Sequence, residues 1–343
     1  MISPLKVLLT FDYELFLGKR SGTVPNCLLH PTAEILKVLE KHKAKAIFFV
    51  DALYLWRLKE TATNYEVAHN DYCLIAKQIV AMAESGHYVF NHIHPHWLDA
   101  KYLVEHNQWD LSNTSKYAFQ SLSEEQRKFV FEKSTAVLNE ILIESKNSFS
   151  LDGYRAGGLY IQPFSIFKKY FEQYGIKYEF SVLRRAKGEL QNPYSSFDFT
   201  NVSSDIYNFS EDVAVSDNEG EFTEFAMRPL EVPFFYRLIN SMQHRLTSSF
   251  QKFKKFGDGV GFLADGKISI AGRSKYAATE TFSIEMLSVA KLPLYFKEIE
   301  TQGYLHILSH PKLVSKYNIE TFDKLLSKIG KFKHVEFDFK KML

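Results

Sequence analysis

The sequence predicts an α/β fold built on parallel strands. Short apolar runs alternate with amphipathic segments in the first half of the chain, and polar residues follow several of the apolar runs directly. Repeated strand-then-helix units favour parallel pairing in a sheet or barrel. Functional side chains in such folds collect where the strands end. With 343 residues, the chain is long enough for two average domains or for one large barrel with an insertion.

The first half of the chain contains nine predicted elements. The strands are 7–11, 46–50, 87–91, 150–154 and 177–180, and the helices are 31–43, 72–85, 123–145 and 163–174. Gly86 provides a C-cap for the second helix. Ser123 and Gln126 are spaced as a capping box at the start of the third.

The second half is less regular. Long loops with short strands are predicted for residues 184–217. A strand follows at 228–232, and the α/β pattern resumes with helix 293–301, strand 304–309, helix 319–329 and strand 334–337. The intervening residues 234–290 are predicted to be an insertion, with a helix around 238–256. Its basic and aromatic stretch 252–256 predicts an exposed amphipathic face, or alternatively a contact with a membrane or glycolipid.

Composition excludes several classes of protein. Lys and Arg number 42 against 40 Asp and Glu, so nucleic acid is not expected as the main partner. Two cysteines exclude a disulfide scaffold and a Cys-rich metal site. The 30 Phe and 19 Tyr are expected mainly in the core, with carbohydrate stacking as the alternative. Neither a transmembrane run nor a secretory leader is recognisable, so we expect a cytoplasmic protein.

Two carboxylates end the first strand. Asp12 and Glu14 are two residues apart, so both side chains point to the same face if the strand continues through them. Such a pair can divide the roles of base and metal ligand. A simple charged strand terminus is the alternative.

Three histidines follow the third strand in the run Asn91-His92-Ile93-His94-Pro95-His96. His92 and His96 are four residues apart, and one helical turn or a short turn would bring both imidazoles together. Imidazole binds Zn²⁺ and similar ions, and a carboxylate would complete a three-ligand catalytic site. A histidine-rich surface loop is the alternative.

Two further polar residues follow later strands. Arg155 precedes a Gly-rich turn and can hold a carboxylate in a bidentate pair, which lowers the carboxylate's pKa. His310 ends the late strand and suits general acid chemistry near neutral pH.

Taken together, these motifs resemble the polysaccharide deacetylases of carbohydrate esterase family 4. The resemblance spans residues 5–310 and includes the apolar-Phe-Phe strand 46–50, Gly86-His87 and a late Leu-x-His. It implies a distorted (β/α)7-type barrel as a single domain over 1–343, with 234–290 inserted. It also implies metal-dependent removal of an N- or O-acetyl group from a sugar. The metal would be a divalent ion such as Zn²⁺, with Co²⁺, Ni²⁺ and Mn²⁺ as alternatives.

The resemblance implies a role for each motif. Asp12 matches the general base, Arg155 the residue that orients it, and His310 the general acid. His92 and His96 match the metal-binding histidines. The family's second Asp is replaced here by Tyr13, so Glu14 is predicted to be the carboxylate ligand, with exchanged roles for Asp12 and Glu14 as the alternative.

Four residues are predicted to support this site or contact substrate. They are Tyr13, through its backbone N–H, His94, Asn91 and Glu231, the last in place of the family's acidic fourth motif.

The expected substrate is an acetylated sugar of glycan or cell-surface polysaccharide synthesis, nucleotide-linked or lipid-linked. Two alternatives stay open. The altered Asp12-Tyr13-Glu14 motif also suits a hydrolase of a non-sugar amide on the same barrel. The aromatic content also suits a non-catalytic glycan-binding module, although Arg155 and His310 argue against that reading.

Overall fold

The strands of the chain alternate with helices, as predicted. The computed structural model describes residues 4–191, 194–247, 250–261, 266–272 and 277–343. The first three residues and parts of the predicted insertion (248–249, 262–265 and 273–276) lie outside the described residues.

The strands are β1 (Leu5–Tyr13), β2 (Ile47–Asp51), β3 (Tyr88–Ile93), β4 (Lys101–Leu103), β5 (Gln108–Asp110), β6 (Gly153–Ala156), β7 (Tyr178–Glu179), β8 (Ala186–Gln191), β9 (Tyr194–Asp198), β10 (Ile206–Phe209), β11 (Phe222–Phe225), β12 (Pro229–Pro233), β13 (Gly266–Ile270), β14 (Ala277–Thr281), β15 (Tyr304–Ser309) and β16 (Val335–Glu336). The helices are α1 (His30–Lys41), α2 (Ala52–Ala62), α3 (Glu66–Glu84), α4 (Glu124–Leu142), α5 (Ser165–Tyr174), α6 (Phe234–Thr247), α7 (Leu292–Gln302) and α8 (Lys316–Ile329). Short helical turns occupy Pro25–Leu29, Pro95–Asp99, Val104–His106, Phe119–Ser121, Gly157–Leu159, Gln251–Phe253, Val289–Lys291, Pro311–Leu313 and Phe339–Lys341.

The main sheet is mostly parallel and curls into a distorted barrel. Its strand order is β10-β11-β7-β6-β3-β2-β1-β15, with β16 pairing beside β1. Each neighbour of β1 along this order is parallel to it, and Thr10 lies opposite Ile47 of β2 and Leu308 of β15. The predicted α/β class with a barrel-type sheet is confirmed. Only the β10–β11 pair at one end of this sheet is antiparallel within the described residues.

The interior of the barrel changes from apolar to polar along β1. Residues two apart in a strand face the same side, so the inward residues of β1 run from Leu8 through Thr10 to Asp12. A buried apolar cluster lies in this interior, and its members are Leu8, Ile47, Phe49, Phe90, Phe180, Phe225, Phe339 and Met342. Much of the aromatic content of the chain therefore lies in the core, as expected from its composition.

Gly153 on β6 makes room for this cluster. A Cβ atom at position 153 would lie 2.2 Å from the Phe90 ring. The glycine is therefore required for the close approach of β6 to the aromatic interior.

The two ends of the main sheet meet across a seam. The Tyr304 hydroxyl at the start of β15 donates a hydrogen bond to the carbonyl of Ala226, just after β11, at 3.1 Å. The backbone N–H of Leu308 donates to Phe282 at 2.9 Å. The contact across the seam thus depends on a side chain and on a segment that precedes α7.

The helices pack around the outside of the sheet. The helix predicted at 123–145 forms α4, and its start has the full Ser123–Gln126 capping box. The helix predicted at 72–85 begins earlier, as α3. The sequence analysis did not predict α2, which follows β2 without a connecting loop. Among the described residues, no helix is both long and apolar enough to cross a bilayer.

The predicted insertion contributes to two small sheets. Its strand β14 pairs with β12, and β13 extends the β8–β9 hairpin. Its helix is α6, which begins at Phe234, earlier than predicted, and ends at Thr247. That these residues are an insertion into a single domain stays a prediction.

Candidate functional site

The polar side chains at the carboxyl ends of β1, β3, β6 and β15 converge in one cleft. The cleft has a volume of about 330 Å³ and is lined by Asp12, Glu14, Leu17, His92, His94, Tyr117, Ala156, Gly158, Leu159, Tyr160, Ile268, Leu308 and His310. The convergence follows from the parallel sheet, because all of these strands end at the same edge.

Arg155 is completely buried and organises the base of the cleft. It donates a 2.6 Å hydrogen bond to Asp12, a 2.9 Å bond to Thr10 and a 3.1 Å bond to the carbonyl of Phe180. Its guanidinium also lies 4.1 Å from the centre of the Phe49 ring. These contacts hold Asp12 in one orientation.

Asp12 is kept ionised by its surroundings. Burial alone would raise its pKa, but the positive charge of Arg155 and the nearby His92 and His310 bring that pKa below its ordinary value. The second oxygen of Asp12 lies 3.9 Å from Nε2 of His92 and 3.7 Å from Nε2 of His310. Asp12 therefore has one oxygen held by Arg155 and one facing the cleft.

Glu14 lies beside two imidazoles. Its Oε2 is 2.7 Å from Nε2 of His94 and 3.6 Å from Nε2 of His92, and the two Nε2 atoms are 2.9 Å apart. These three buried residues form a group whose ligand atoms all lie within 4.8 Å of one another. Two ligands bound to Zn²⁺ at about 2.1 Å in tetrahedral geometry would be about 3.4 Å apart, so the group has the dimensions of a metal site.

The orientation of His92 favours metal binding. Its Nδ1 lies 2.8 Å from the carbonyl oxygen of Arg155 and must donate to it, which leaves Nε2 turned toward Glu14. Burial alone would lower the pKa of His92, but Asp12 and Glu14 raise it to about 8. The negative potential that retains a proton there would equally retain a cation. Oε2 of Glu14 and the Nε2 atoms of His92 and His94 face one another, so a divalent ion fits the group.

His96 is not a member of this group, although its ring lies beside the His94 ring, with centroids 5.4 Å apart. The backbone of β3 stays extended through His94, so His92 and His94 point to the same side of the strand. The helical turn that starts at Pro95 then carries His96 away, and its ring stacks against Tyr117 with centroids 5.8 Å apart. The sequence analysis placed His96 with His92 by assuming a turn, whereas the structure brings His94 there by strand alternation.

The side chains of three other predicted residues do not face the group, and the backbone role predicted for Tyr13 stays a prediction. The Tyr13 side chain points to the opposite side of β1 and donates to Gln78 at 2.9 Å. Asn91 likewise points outward and donates to Thr135 at 3.4 Å. Glu231 is half-exposed on β12 and pairs with Arg185 at 3.2 Å.

His310 is held by a residue that the sequence analysis missed. Its Nδ1 lies 3.0 Å from Oε1 of Glu285, whose other oxygen accepts a hydrogen bond from Ser309. Burial alone would lower the pKa of His310, but Glu285, Asp12 and Glu14 raise it. Glu285 lies in an irregular segment before α7, so no strand or helix pattern marks it in the sequence.

Lys312 and Asp51 also belong to the site and were not predicted. Lys312 is buried and donates to Glu14 at 2.8 Å and to the carbonyl of Leu15 at 2.6 Å. Burial raises the pKa of Glu14, but Lys312 and His94 outweigh it and hold the pKa well below its usual range.

Asp51 ends β2 beneath the histidines and accepts a hydrogen bond from Trp97 at 2.5 Å. Burial raises the pKa of Asp51 to about 6. Its place directly after a buried strand was a signal that could have identified it.

The chain matches known proteins over its whole length in fold and over its first part in sequence. Residues 3–151 match the family described as polysaccharide deacetylase. A crystal structure from Mycobacterium smegmatis, provisionally assigned as a polysaccharide deacetylase, aligns with 99% of this chain and 92% of its own at 12% identity and a TM-score of 0.50. No curated protein sequence matches the chain.

Two further structures align at lower similarity. A Pseudomonas aeruginosa PAO1 protein, also provisionally assigned as a polysaccharide deacetylase, covers 98% of this chain and 88% of its own at 10% identity and a TM-score of 0.47. The PuuE allantoinase covers 97% and 86% at 13% identity and a TM-score of 0.45. The first part of the chain thus matches the polysaccharide deacetylase family, and the whole chain shares the fold of the Mycobacterium smegmatis structure.

Proposed function

We propose that this chain is a metal-dependent deacetylase that hydrolyses the N-acetyl group of a sugar. One observation carries the proposal. A carboxylate fixed by arginine, a carboxylate with two histidines, and a histidine fixed by a second carboxylate all meet in one cleft. These groups can supply the base, the metal site and the acid that metal-dependent amide hydrolysis uses.

The proposed ligands of the metal are Glu14, His92 and His94. This set replaces His96, the ligand implied by the family resemblance, with His94. A bound divalent ion such as Zn²⁺ would polarise the acetyl carbonyl and increase the acidity of water. His92 is oriented for this by the Arg155 carbonyl, and Lys312 offsets the charge of Glu14.

The protein's own groups would move the protons. Asp12 accepts a proton from water as the water oxygen forms its bond to the acetyl carbon. Arg155 keeps Asp12 ionised and aimed into the cleft. His310 donates its proton to the sugar nitrogen as the C–N bond breaks, and the products are acetate and an amino sugar. Glu285 raises the pKa of His310, which favours its protonated form, and fixes the direction of its ring.

The test is acetate release from N-acetylated sugars by the purified chain, before and after treatment with a chelator. We expect activity that is lost with the metal and restored by Zn²⁺, Co²⁺, Ni²⁺ or Mn²⁺. Acetate release that is insensitive to complete metal removal would contradict the metal-dependent proposal. Turnover of non-sugar amides without turnover of any acetylated sugar would favour the alternative hydrolase.

Metal content should distinguish His94 from His96. We expect His94→Ala to lower metal affinity at least tenfold, because it removes one of three proposed ligands. His96→Ala is the matched control and should retain the metal, since its ring stacks on Tyr117 instead. Elemental analysis after dialysis against a competing chelator measures both. The opposite result would restore the ligand set implied by the resemblance.

The alkaline limb of the pH profile should depend on Glu285. His310 acts as an acid only while protonated, so activity falls as pH rises through its pKa. Glu285 raises that pKa, and Glu285→Gln should therefore move the falling limb of kcat/KM down by about one pH unit or more. Glu231→Gln, which removes a carboxylate outside the cleft, should leave the profile unchanged. If kcat/KM falls at the same pH in Glu285→Gln as in the unaltered protein, His310 is not the general acid.

A further inference from the structure

Helix α6 presents an unpartnered apolar face to solvent. Phe234, Leu238 and Met242 are four residues apart and lie on one side of the helix, with Phe235 beside them. These four side chains are between 46% and 65% exposed. The half-buried Tyr236 packs against the core of the protein instead. Contiguous exposed apolar surface of this kind marks a binding face.

The same stretch of sequence has a one-sided charge. Residues 234–257 contain Arg237, Arg245, Lys252, Lys254 and Lys255 and no Asp or Glu. The whole chain, by contrast, has 42 basic and 40 acidic residues. The stretch of sequence that carries the apolar face therefore has an excess of positive charge. Acidic residues elsewhere in the chain balance this excess.

The segment after α6 lies on the same side of the protein. Helix α6 contacts the turn Val289–Lys291. The backbone N–H of Val289 donates to the Tyr317 hydroxyl at 3.1 Å, and the Tyr317 ring packs against Phe253 with centroids 4.6 Å apart. Around Phe253, the residues Phe250, Lys252 and Lys254 are exposed. Apolar and basic side chains thus continue from α6 along this side.

This side is attached to the rim of the cleft. The backbone N–H of Gly257 donates to the carbonyl of Lys312 at 3.1 Å, and that of Phe256 donates to Val314 at 2.8 Å. Lys312 contacts Glu14 inside the cleft. Ile268 on β13 lines the cleft and is itself more than half exposed. A surface bound by the segment around Phe253 would therefore lie near the rim of the cleft.

We propose that Phe234, Phe235, Leu238, Met242, Phe250, Lys252 and Lys254 form a docking face for an anionic membrane surface. An amphipathic helix with aromatic residues on one face and basic residues around it lies in the plane of the lipid headgroups. A second copy of the chain fits the face less well, since a two-fold interface would bring the same basic residues of both copies together.

Docking would bring the cleft to the level of the headgroups. A sugar carried on a lipid phosphate would then reach the cleft directly. This inference about the substrate rests on the proposed function. The docking itself does not depend on catalysis.

Co-sedimentation of the full chain with vesicles tests the docking. We expect binding to vesicles that contain phosphatidylglycerol, little binding to phosphatidylcholine alone, and weaker binding at high salt. Phe234→Ser/Phe235→Ser and Lys252→Glu/Lys254→Glu should each lower the apparent affinity at least tenfold. Ile143→Ser is the control, because Ile143 is exposed at the end of α4, outside the docking face.

The outcomes separate the two proposals. Acetate release from a soluble acetylated sugar should be unchanged in the docking variants. Absence of binding to anionic vesicles by the folded protein would overturn the docking proposal. So would a dimer that the Phe variants dissociate without any vesicle binding. Vesicle binding without deacetylation of any sugar would overturn the proposed function and leave the docking face intact.

Discussion

Replacing Asp12 by Asn is expected to lower kcat on an acetylated sugar by about 10²- to 10⁴-fold. The amide of Asn cannot accept a proton from water, while its size and its carbonyl oxygen preserve the contact with Arg155. The fold and the bound metal should therefore be retained. Asp12 is held 2.6 Å from Arg155, whereas Glu14 belongs to the histidine group.

Single-turnover acetate release and metal content, measured on the same preparation, check this expectation. Glu14→Gln is the matched variant and should lose metal affinity together with activity. If Asp12→Asn loses its metal while Glu14→Gln retains it, the two carboxylates have exchanged roles. The sequence leaves that alternative open, and we propose Asp12 as the base.

Replacing Arg155 by Met is expected to destabilise the protein by about 3–5 kcal/mol as well as to inactivate it. The guanidinium is completely buried and bonds Asp12, Thr10 and the Phe180 carbonyl. Without it, Asp12 is left as a buried charge with its main counter-ion removed, and its pKa rises because the largest contribution that offsets burial is lost. The hydrogen bonds that join β6 to β1 and to the segment after β7 are lost together.

Urea unfolding at neutral pH measures this loss. Lys59→Met is the matched control: it removes a cation that pairs with Glu140 at the surface, at 2.6 Å, and should cost below about 1 kcal/mol. Arg155→Lys keeps the positive charge but loses the planar guanidinium with its several donors. Its loss of stability should therefore lie between those of the other two variants. A loss in Arg155→Met no larger than in the Lys59 control would show that the buried network contributes little to stability.

The parts of the site that follow from strand periodicity were predictable. Polar residues at the ends of buried strands indicated Asp12, Glu14, His92, Arg155 and His310. The structure brings four of them into one cleft, with Arg155 buried behind Asp12. The parallel sheet explains this convergence, because strands that end at one edge present their last inward residues to a common space. Applying the same rule to β2 would have added Asp51.

The choice between His94 and His96 was less predictable. A spacing of four suits a helical turn, and a spacing of two suits a strand. Which of the two histidines lies on the same side as His92 depends on where β3 ends. Sequence patterns locate the ends of strands and helices only to within a few residues. Pro95 marks the end of the extended backbone, so the proline was the available signal that His94, not His96, shares a side with His92.

Glu285 and Lys312 are brought to the site by tertiary contacts, which no local sequence pattern indicates. Glu285 comes from an irregular segment folded across the seam of the barrel, where Leu308 bonds the neighbouring Phe282. Lys312 lies on a short helical turn, and only the packing of that turn against β1 directs its amine to Glu14. Both contacts depend on how distant segments meet, which composition and periodicity do not encode.

The pairing of β1 with β15 has a consequence for the synthesis of this protein. β1 ends at Tyr13 and β15 begins at Tyr304, so the two strands emerge from the ribosome far apart in time. At about 5–20 residues per second, the intervening stretch takes roughly 15–60 s to translate. Throughout that interval the β15-facing edge of β1 has no native partner, while the aromatic interior lacks Phe339. The nascent chain therefore presents an open strand edge and an unfinished core, and it is a natural client for chaperones until the late strand arrives.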